Sequence, residues 1–101
     1  MKQINQSEFE QETKSGVTVV DFFATWCGPC RAMAMILEDV ANEHPEFNIV
    51  KIDVDQNNEL ARRFGILSIP TIVIMKDGEM VDKHVGLMEA DDLVELVERY
   101  I

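Results

Sequence analysis

Apolar residues follow two different spacings along the chain, and the changes between them divide it into short segments. Runs rich in β-branched and aromatic residues cover 17–24 (VTVVDFFA), 48–54 (NIVKIDV) and 70–76 (PTIVIMK). Each run has about the length of a buried strand. The turn dipeptide Asp77-Gly78 separates the third run from Glu79–Val85, which predicts an antiparallel hairpin. Residues 2–5 are predicted to add a short edge strand.

Helical spacing is found in four other segments, residues 7–14, 29–42, 58–64 and 89–101. The first opens with Ser7, a good N-cap, and Glu10 follows three positions later as in a capping box. The third is closed by Gly65, a residue typical of the position after a helix. The sequence therefore predicts four helices, of which the second is the longest.

The order of these elements predicts the architecture. Strand and helix alternate twice before the hairpin and the closing helix, which is typical of a mixed sheet that is parallel in its first part and has helices on both faces. The predicted class is α/β, as a three-layer α/β/α sandwich. A length of 101 residues and a hydrophobic fraction of 47% fit one globular domain, residues 1–101.

Charge and hydropathy limit the partners that we expect. A net charge of −10 at pH 7 opposes binding to nucleic acid and to anionic membranes, because both depend on clustered Lys and Arg. Residues 1–16 are polar and contain no apolar run like that of a signal peptide, and no stretch approaches the roughly 20 apolar residues of a transmembrane helix. We expect a cytoplasmic protein without nucleic-acid or membrane partners.

The two cysteines carry the most specific chemical signal. Cys27 and Cys30 form a C-x-x-C motif between a predicted strand and a predicted helix, within reach of a mutual disulfide. Cys27 precedes the helix, and the unpaired N–H groups of the helix should lower the pKa of the Cys27 thiol below about 8.5. We expect Cys27 to be exposed and to be the nucleophile. Cys30 lies one turn further in and is the expected resolving thiol. Pro29 suits the first helical turn, and Gly28 allows a tight backbone turn.

Two other interpretations of the cysteines are weaker. Buried structural thiols are one, but the motif lies at a junction between loop and helix. A zinc site is the other. It needs four ligands, whereas the only histidines, His44 and His84, lack the close spacing of zinc modules. We expect no metal site.

Two neighbours of the motif have unusual positions. Asp21 interrupts the apolar run 17–24, where an ionised carboxylate is costly without a partner, so its pKa should be raised. Trp26 directly precedes Cys27, and its ring is expected to shield and shape the site.

Motifs along nearly the whole chain resemble those of the thioredoxin family. The matching residues are Asp21 with Phe22-Phe23-Ala24, Trp26-Cys27-Gly28-Pro29-Cys30, Lys51, Asp53-Val54-Asp55, Phe64-Gly65-Ile66, Ile69-Pro70-Thr71, Asp77-Gly78 and Val85-Gly86. The resemblance implies the thioredoxin fold, a five-stranded mixed sheet flanked by four helices. It also implies a monomer with no bound cofactor, whose redox-active disulfide is reduced by thioredoxin reductase with electrons from NADPH. Implied substrates are protein disulfides, such as those of ribonucleotide reductase, peroxiredoxin and methionine sulfoxide reductase.

The resemblance also implies roles for single residues. Asp21 would lie behind Cys30 as its proton acceptor, with Lys51 as a charge neighbour. An apolar docking patch would comprise Trp26, Gly28, Pro29, Ile69, Pro70 and Gly86, together with Leu87, and the Ile69-Pro70 peptide bond would be cis. The chain departs from the family pattern at Met35, where a helix-kinking proline is usual, and at Ser68, where a glycine is common.

The function predicted from the sequence is that of a general protein disulfide reductase. A thiol oxidant or isomerase is the nearest alternative, although Gly28-Pro29 lacks the histidine that would make the disulfide more oxidising. A binding subunit with the same fold and no catalytic use of its thiols is the alternative from another class.

Overall fold

Five strands form one sheet, and four helices cover it, in a computed structural model that describes all residues from Met1 to Ile101. The strands are β1 Lys2–Gln3, β2 Val17–Phe23, β3 Asn48–Asp53, β4 Thr71–Lys76 and β5 Glu79–Val85. The helices are α1 Phe9–Thr13, α2 Gly28–Glu43, α3 Asn58–Arg63 and α4 Ala90–Glu98. The predicted α/β class with a mixed sheet is confirmed.

The sheet order is β1-β3-β2-β4-β5, with β2 at its centre. β3 is parallel to both β1 and β2, whereas β4 is antiparallel to β2 and β5. Asp21 therefore lies in the middle of the sheet, with Lys51 beside it on β3 and Ile72 beside it on β4. This register fixes which side chains share a face with the candidate proton acceptor.

Each face of the sheet has its own apolar core. On one face α2 and α4 cover a cluster that includes Val19, Leu37 and Leu93, all of them fully or almost fully buried. On the other face Phe9 of α1 and Leu60 of α3 pack on a second cluster. Burial of each such large side chain contributes about 1.5–3 kcal/mol, so both layers of helices are held mainly by apolar contact. The three-layer sandwich follows directly from these two clusters.

The hairpin between β4 and β5 follows the prediction. Asp77 and Gly78 both have positive φ angles, 50° and 87°, which the two central residues of a type I′ turn require. The Asp77 carboxylate also accepts a hydrogen bond from the Gly16 N–H at 2.7 Å, so the turn is fastened to the start of β2.

The predicted capping box at Ser7 is wrong: the N-cap of α1 is Glu8, which makes no side-chain cap bond, and a reciprocal pair of this kind lies in the preceding turn. Asn5, not Ser7, accepts a backbone N–H with its side chain, from Ser7 at 3.0 Å. The Glu8 carboxylate in turn accepts the Asn5 N–H at 3.0 Å. The Asn-x-x-Glu sequence thus makes the reciprocal pair, and the chain passes through a turn before α1 begins at Phe9.

Two predicted segments are longer than the elements observed. α4 ends at Glu98 instead of continuing to the last residue, and the Tyr100 hydroxyl donates to the Asp82 carboxylate at 2.7 Å, which fastens the end of the chain to β5. β1 covers only two residues, although the Ile4 N–H still donates to the Lys51 carbonyl at 2.9 Å.

Even the longest helix, α2 with 16 residues, falls short of what a bilayer crossing requires.

Candidate active site

Cys27 and Cys30 are joined by a disulfide at the start of α2, with their Cα atoms 5.2 Å apart. Cys27 is the N-cap of the helix, in an extended conformation, and its Sγ accepts the Cys30 N–H at 3.2 Å. Pro29 in the first turn removes an N–H that would otherwise lack a helical partner. The first sulfur is thus positioned at the positive end of the helix, where a thiolate gains most from the helix dipole.

The expected exposure of Cys27 is not observed. Its exposed fraction is 5%, against 3% for Cys30, so exposure does not distinguish the two residues. Both pack with Phe23 and Ala24 in a small apolar cluster, and the Ile69 side chain covers it. The feature that does distinguish Cys27 is its N-cap position.

Trp26 is the most exposed aromatic residue beside the disulfide, with 69% of its surface accessible. Its indole N–H donates to the Asp55 carboxylate at 2.8 Å. Because β2 and β3 are parallel, the residues that follow them lie at the same end of the sheet. This brings the side chains of Trp26 and Asp55 together. No role for Asp55 was predicted from the sequence, although its position just after a strand parallel to the one before Trp26 is the signal that could have identified it.

The Ile69-Pro70 peptide bond is cis, and the Ile69 side chain packs on the apolar cluster that contains both cysteines. The Ile69 carbonyl oxygen lies 3.9 Å from the Cys27 Sγ. The Pro70 carbonyl accepts the Gly86 N–H at 2.8 Å, and Gly86 has a φ angle of 96° that favours glycine. The segment around Ile69 therefore contacts the disulfide from far along the chain, and Gly86 bonds to that segment in turn.

Asp21 is fully buried on the face of β2 that it shares with Phe23, which packs on both cysteines. Neither carboxylate oxygen has a hydrogen-bond partner. Loss of hydration raises the pKa of Asp21 to about 7, and the positive charge of Lys51 opposes part of this increase. A carboxyl group with such a pKa can both accept and release a proton near neutral pH.

Lys51 is half-buried and lies in register with Asp21. Its ammonium group stacks over the Phe23 ring, 4.5 Å from the ring centroid, in a cation–π contact. The family resemblance implies a charge neighbour for Asp21 at this position. The structure brings it to the same part of the sheet as the buried carboxyl group.

The two departures from the family pattern have different surroundings. Met35 is 70% exposed on a helix that continues unbroken from Gly28 to Glu43, whereas Met33 is fully buried in the core. The Ser68 carbonyl accepts a hydrogen bond from the Thr71 hydroxyl at 2.6 Å, which closes the turn around Pro70.

The histidines have local partners. His44 stacks on Phe47 with a centroid distance of 4.7 Å, and a ring nitrogen of His84 lies 3.2 Å from the Leu87 carbonyl oxygen. No group of three or more His, Cys, Asp or Glu side chains converges as a metal site would require.

The family model described as Thioredoxin matches residues 1–99. The chain belongs to the thioredoxin family. It is 46% identical to the thioredoxin of Listeria monocytogenes serovar 1/2a, over all of this chain and 99% of that protein. Among solved structures it is similar to Fasciola hepatica thioredoxin, with a TM-score of 0.89 and 40% identity over the whole of both chains.

A second solved structure, a mutant thioredoxin from Halobacterium salinarum NRC-1, also has a TM-score of 0.89, with 38% identity over 98% of this chain and 90% of that one. Thioredoxins are oxidoreductases, and the Cys27-Cys30 disulfide at the head of α2 is consistent with reduction of protein disulfides.

Proposed function

We propose that this protein is a general protein disulfide reductase in which Cys27 is the nucleophile and Cys30 the resolving thiol. The observation that carries the proposal is the Cys27 Sγ at the N-cap of α2, where it accepts the Cys30 N–H at 3.2 Å. The same N–H and the helix dipole stabilise a thiolate at this sulfur after reduction. No equivalent donor is found at Cys30, whose sulfur lies one turn inside the helix.

The first step is attack by the Cys27 thiolate on one sulfur of a substrate disulfide. The substrate S–S bond breaks, its second sulfur leaves as a thiolate that takes up a proton, and a mixed disulfide joins Cys27 to the substrate. The Ile69 carbonyl lies 3.9 Å from the Cys27 Sγ, near enough to bind an extended substrate backbone during this attack.

In the second step the Cys30 thiol loses its proton to Asp21, directly or through water, and the resulting thiolate attacks the Cys27 sulfur. The mixed disulfide breaks, the substrate sulfur leaves as a thiolate that takes up a proton, and the Cys27-Cys30 disulfide forms. The buried carboxyl group, with a pKa of about 7, supports the role of Asp21 as proton acceptor. Lys51 moderates that pKa through its charge.

Substrates dock on the surface around the sulfur atoms. We assign this surface to Trp26, Gly28, Pro29, Ile69, Pro70 and Gly86. Exposure supports the assignment for Trp26, Gly28 and Pro29, and backbone position supports it for the other three. Few directional contacts are needed on such a surface, which suits a broad range of protein disulfides.

The return of the protein to its dithiol form completes the cycle. We propose that thioredoxin reductase supplies the two electrons from NADPH, so that the protein acts as an electron carrier in the cytoplasm. Membership of the thioredoxin family supports this assignment. Ribonucleotide reductase, peroxiredoxin and methionine sulfoxide reductase are the substrates that we would test first, with the protein acting as a monomer.

The test is NADPH-coupled reduction of insulin in the presence of a thioredoxin reductase. The wild-type chain should support continuous NADPH oxidation, whereas a Cys27→Ser, Cys30→Ser double variant with the wild-type circular dichroism spectrum should support none. Equal activity of the two proteins would contradict the proposal. A binding protein that does not use its thiols would retain its biological activity in the double variant.

A further inference from the structure

Lys83 on β5 makes a contact that disulfide exchange by the two cysteines does not explain. Its Nζ donates to two backbone carbonyls at once, those of Phe64 and Gly65, each at 3.1 Å. Phe64 is the C-cap of α3 and Gly65 directly follows it, at the end where a helix leaves carbonyl groups without partners and carries partial negative charge. A lysine ammonium with several donors suits this position well.

The direction of the Lys83 side chain follows from the sheet register. Lys83 pairs with Val73 of β4, and Val73 belongs to the core under α1 and α3. The side chain therefore leaves β5 on the face that α3 covers. No acidic side chain lies within ion-pair distance of its Nζ, so the two carbonyls are its principal partners.

The residue that follows β5 contacts the far end of the segment that begins at these carbonyls. Residues 64–70 connect α3 to the cis proline, and the Gly86 N–H of the chain just beyond β5 donates to the Pro70 carbonyl at 2.8 Å. The segment between the two attachments includes Leu67, which is 96% exposed, and Ile69, whose carbonyl lies near the Cys27 sulfur. Lys83 and Gly86 thus contact its two ends, in addition to the backbone bonds from the Gly65 N–H to Arg62 and from the Ile66 N–H to Ala61.

We propose that Lys83 is a positioning residue for disulfide exchange, which holds the 64–70 segment so that the Ile69 backbone is preorganised to receive a substrate strand. The proposal rests on the proposed function. Lys83 itself does not touch the sulfur atoms, and its effect is exerted through the Phe64 and Gly65 carbonyls. Without the ammonium group these two carbonyls lose a charged donor, and the start of the segment is held by backbone bonds such as that of the Ile66 N–H to Ala61 and by the packing of Phe64 and Ile66 on the core.

The consequence is a selective loss of protein substrates. A protein disulfide must lay its backbone along Ile69, whereas a small aromatic disulfide such as Ellman's reagent needs only access to the Cys27 sulfur. We expect Lys83→Met to raise KM for insulin about fivefold, equivalent to about 1 kcal/mol, with kcat changed less than about twofold. The ratio of kcat/KM for insulin to that for Ellman's reagent should fall by a similar factor.

Two variants control the experiment. Lys76→Met removes the same charge from an exposed lysine at the end of β4 and should leave the ratio at its wild-type value. Lys83→Arg keeps a cationic donor and should retain at least half of the wild-type ratio. A loss in Lys83→Arg as large as that in Lys83→Met, or an equal loss in Lys76→Met, overturns the proposal.

The outcome is separable from that of the proposed function. If the wild-type protein fails to reduce insulin, the proposed function is wrong. If the wild-type protein reduces insulin and Lys83→Met changes the unfolding temperature but not the ratio, Lys83 has only a structural role and the inference is wrong.

Discussion

Asp21 and Lys51 lie directly beside each other in register on adjacent parallel strands, yet their side chains form no ion pair. The Lys51 ammonium group contacts the Phe23 ring instead, and both carboxylate oxygens of Asp21 lack a hydrogen-bond partner. A buried carboxyl group without a partner favours its neutral form. The core of the protein therefore contains a group that is costly when ionised.

The first prediction concerns the cost of this charge. The folded pKa of Asp21, about 7, lies above the unfolded value, so the folded state binds more protons and its stability falls as pH rises from about 4 to 7. Asp21→Asn should be more stable than wild type at pH 8, by no more than roughly 4 kcal/mol, and by much less at pH 4.5. Urea denaturation at both pH values measures the difference.

The Asn variant should also release substrate more slowly, because Cys30 loses its proton acceptor. Equal stability at pH 8 together with unchanged turnover between pH 6 and 8 would rule out a buried proton acceptor at this position.

The second prediction is that Cys27 alone attacks. Iodoacetamide should modify Cys27 before Cys30 in the reduced protein, with a pH midpoint below the value of about 8.5 for free cysteine. Cys30→Ser should accumulate a mixed disulfide with insulin that mass spectrometry detects, and Cys27→Ser should not. Preferential labelling of Cys30 would reverse the assignment.

The third prediction concerns the residues between the cysteines. Equilibration with a glutathione buffer should give a reduction potential near or below the cytosolic glutathione poise. Pro29→His introduces a cation beside the Cys27 thiolate, stabilises the reduced form and should raise the potential, with each 30 mV corresponding to about 1.4 kcal/mol. Pro29→Ala, which adds no charge, is the control. A wild-type potential as high as that of periplasmic oxidants would favour the oxidant or isomerase.

The fourth prediction tests the contact between Trp26 and Asp55. Loss of this hydrogen bond in Asp55→Ala should free the indole and lower kcat/KM for insulin by about two- to tenfold. Trp26 is the only tryptophan, so its fluorescence reports the change directly. Asp39→Ala, at an exposed aspartate of α2, should leave both the fluorescence and kcat/KM near wild type. The same effect in both variants would indicate a general influence of charge.

The fifth prediction separates two candidate caps before α1. Asn5→Ala should lower the free energy of unfolding by about 1 kcal/mol, because it removes the acceptor of the Ser7 N–H. Ser7→Ala removes only a hydroxyl that donates to Asn5 and should cost less. Urea denaturation of both variants gives the comparison, and a larger loss for Ser7→Ala would restore the capping box predicted from the sequence.

The fold and the disulfide were predictable because their signals are local. The spacing of apolar residues in 17–24 identifies a central strand, and the C-x-x-C motif places two sulfurs within one helical turn. The reciprocal pair at Asn5 was missed because Asn5 and Ser7 are both good capping residues, and only the path of the chain selects between them.

Contacts between distant segments were not predictable in this way. Asp55 lies 29 positions from Trp26, and Lys83 lies 19 positions from Phe64. Their partners depend on the final sheet order and register. The burial of Cys27 was missed for the same reason, because the segment around Ile69 covers it from far along the chain.

The direction of the strands places the disulfide at one end of the sheet and keeps it away from the other end. β2 and β3 run towards the disulfide, β4 runs away from it, and β5 returns. The bends at His44-Pro45 and Asp77-Gly78 therefore lie at the end of the sheet opposite to Trp26 and Gly86. An immobilisation tether or a bulky dye joined at that end leaves the sulfur atoms open to another protein, which makes His44-Pro45 a suitable attachment point for a surface-bound reducing catalyst.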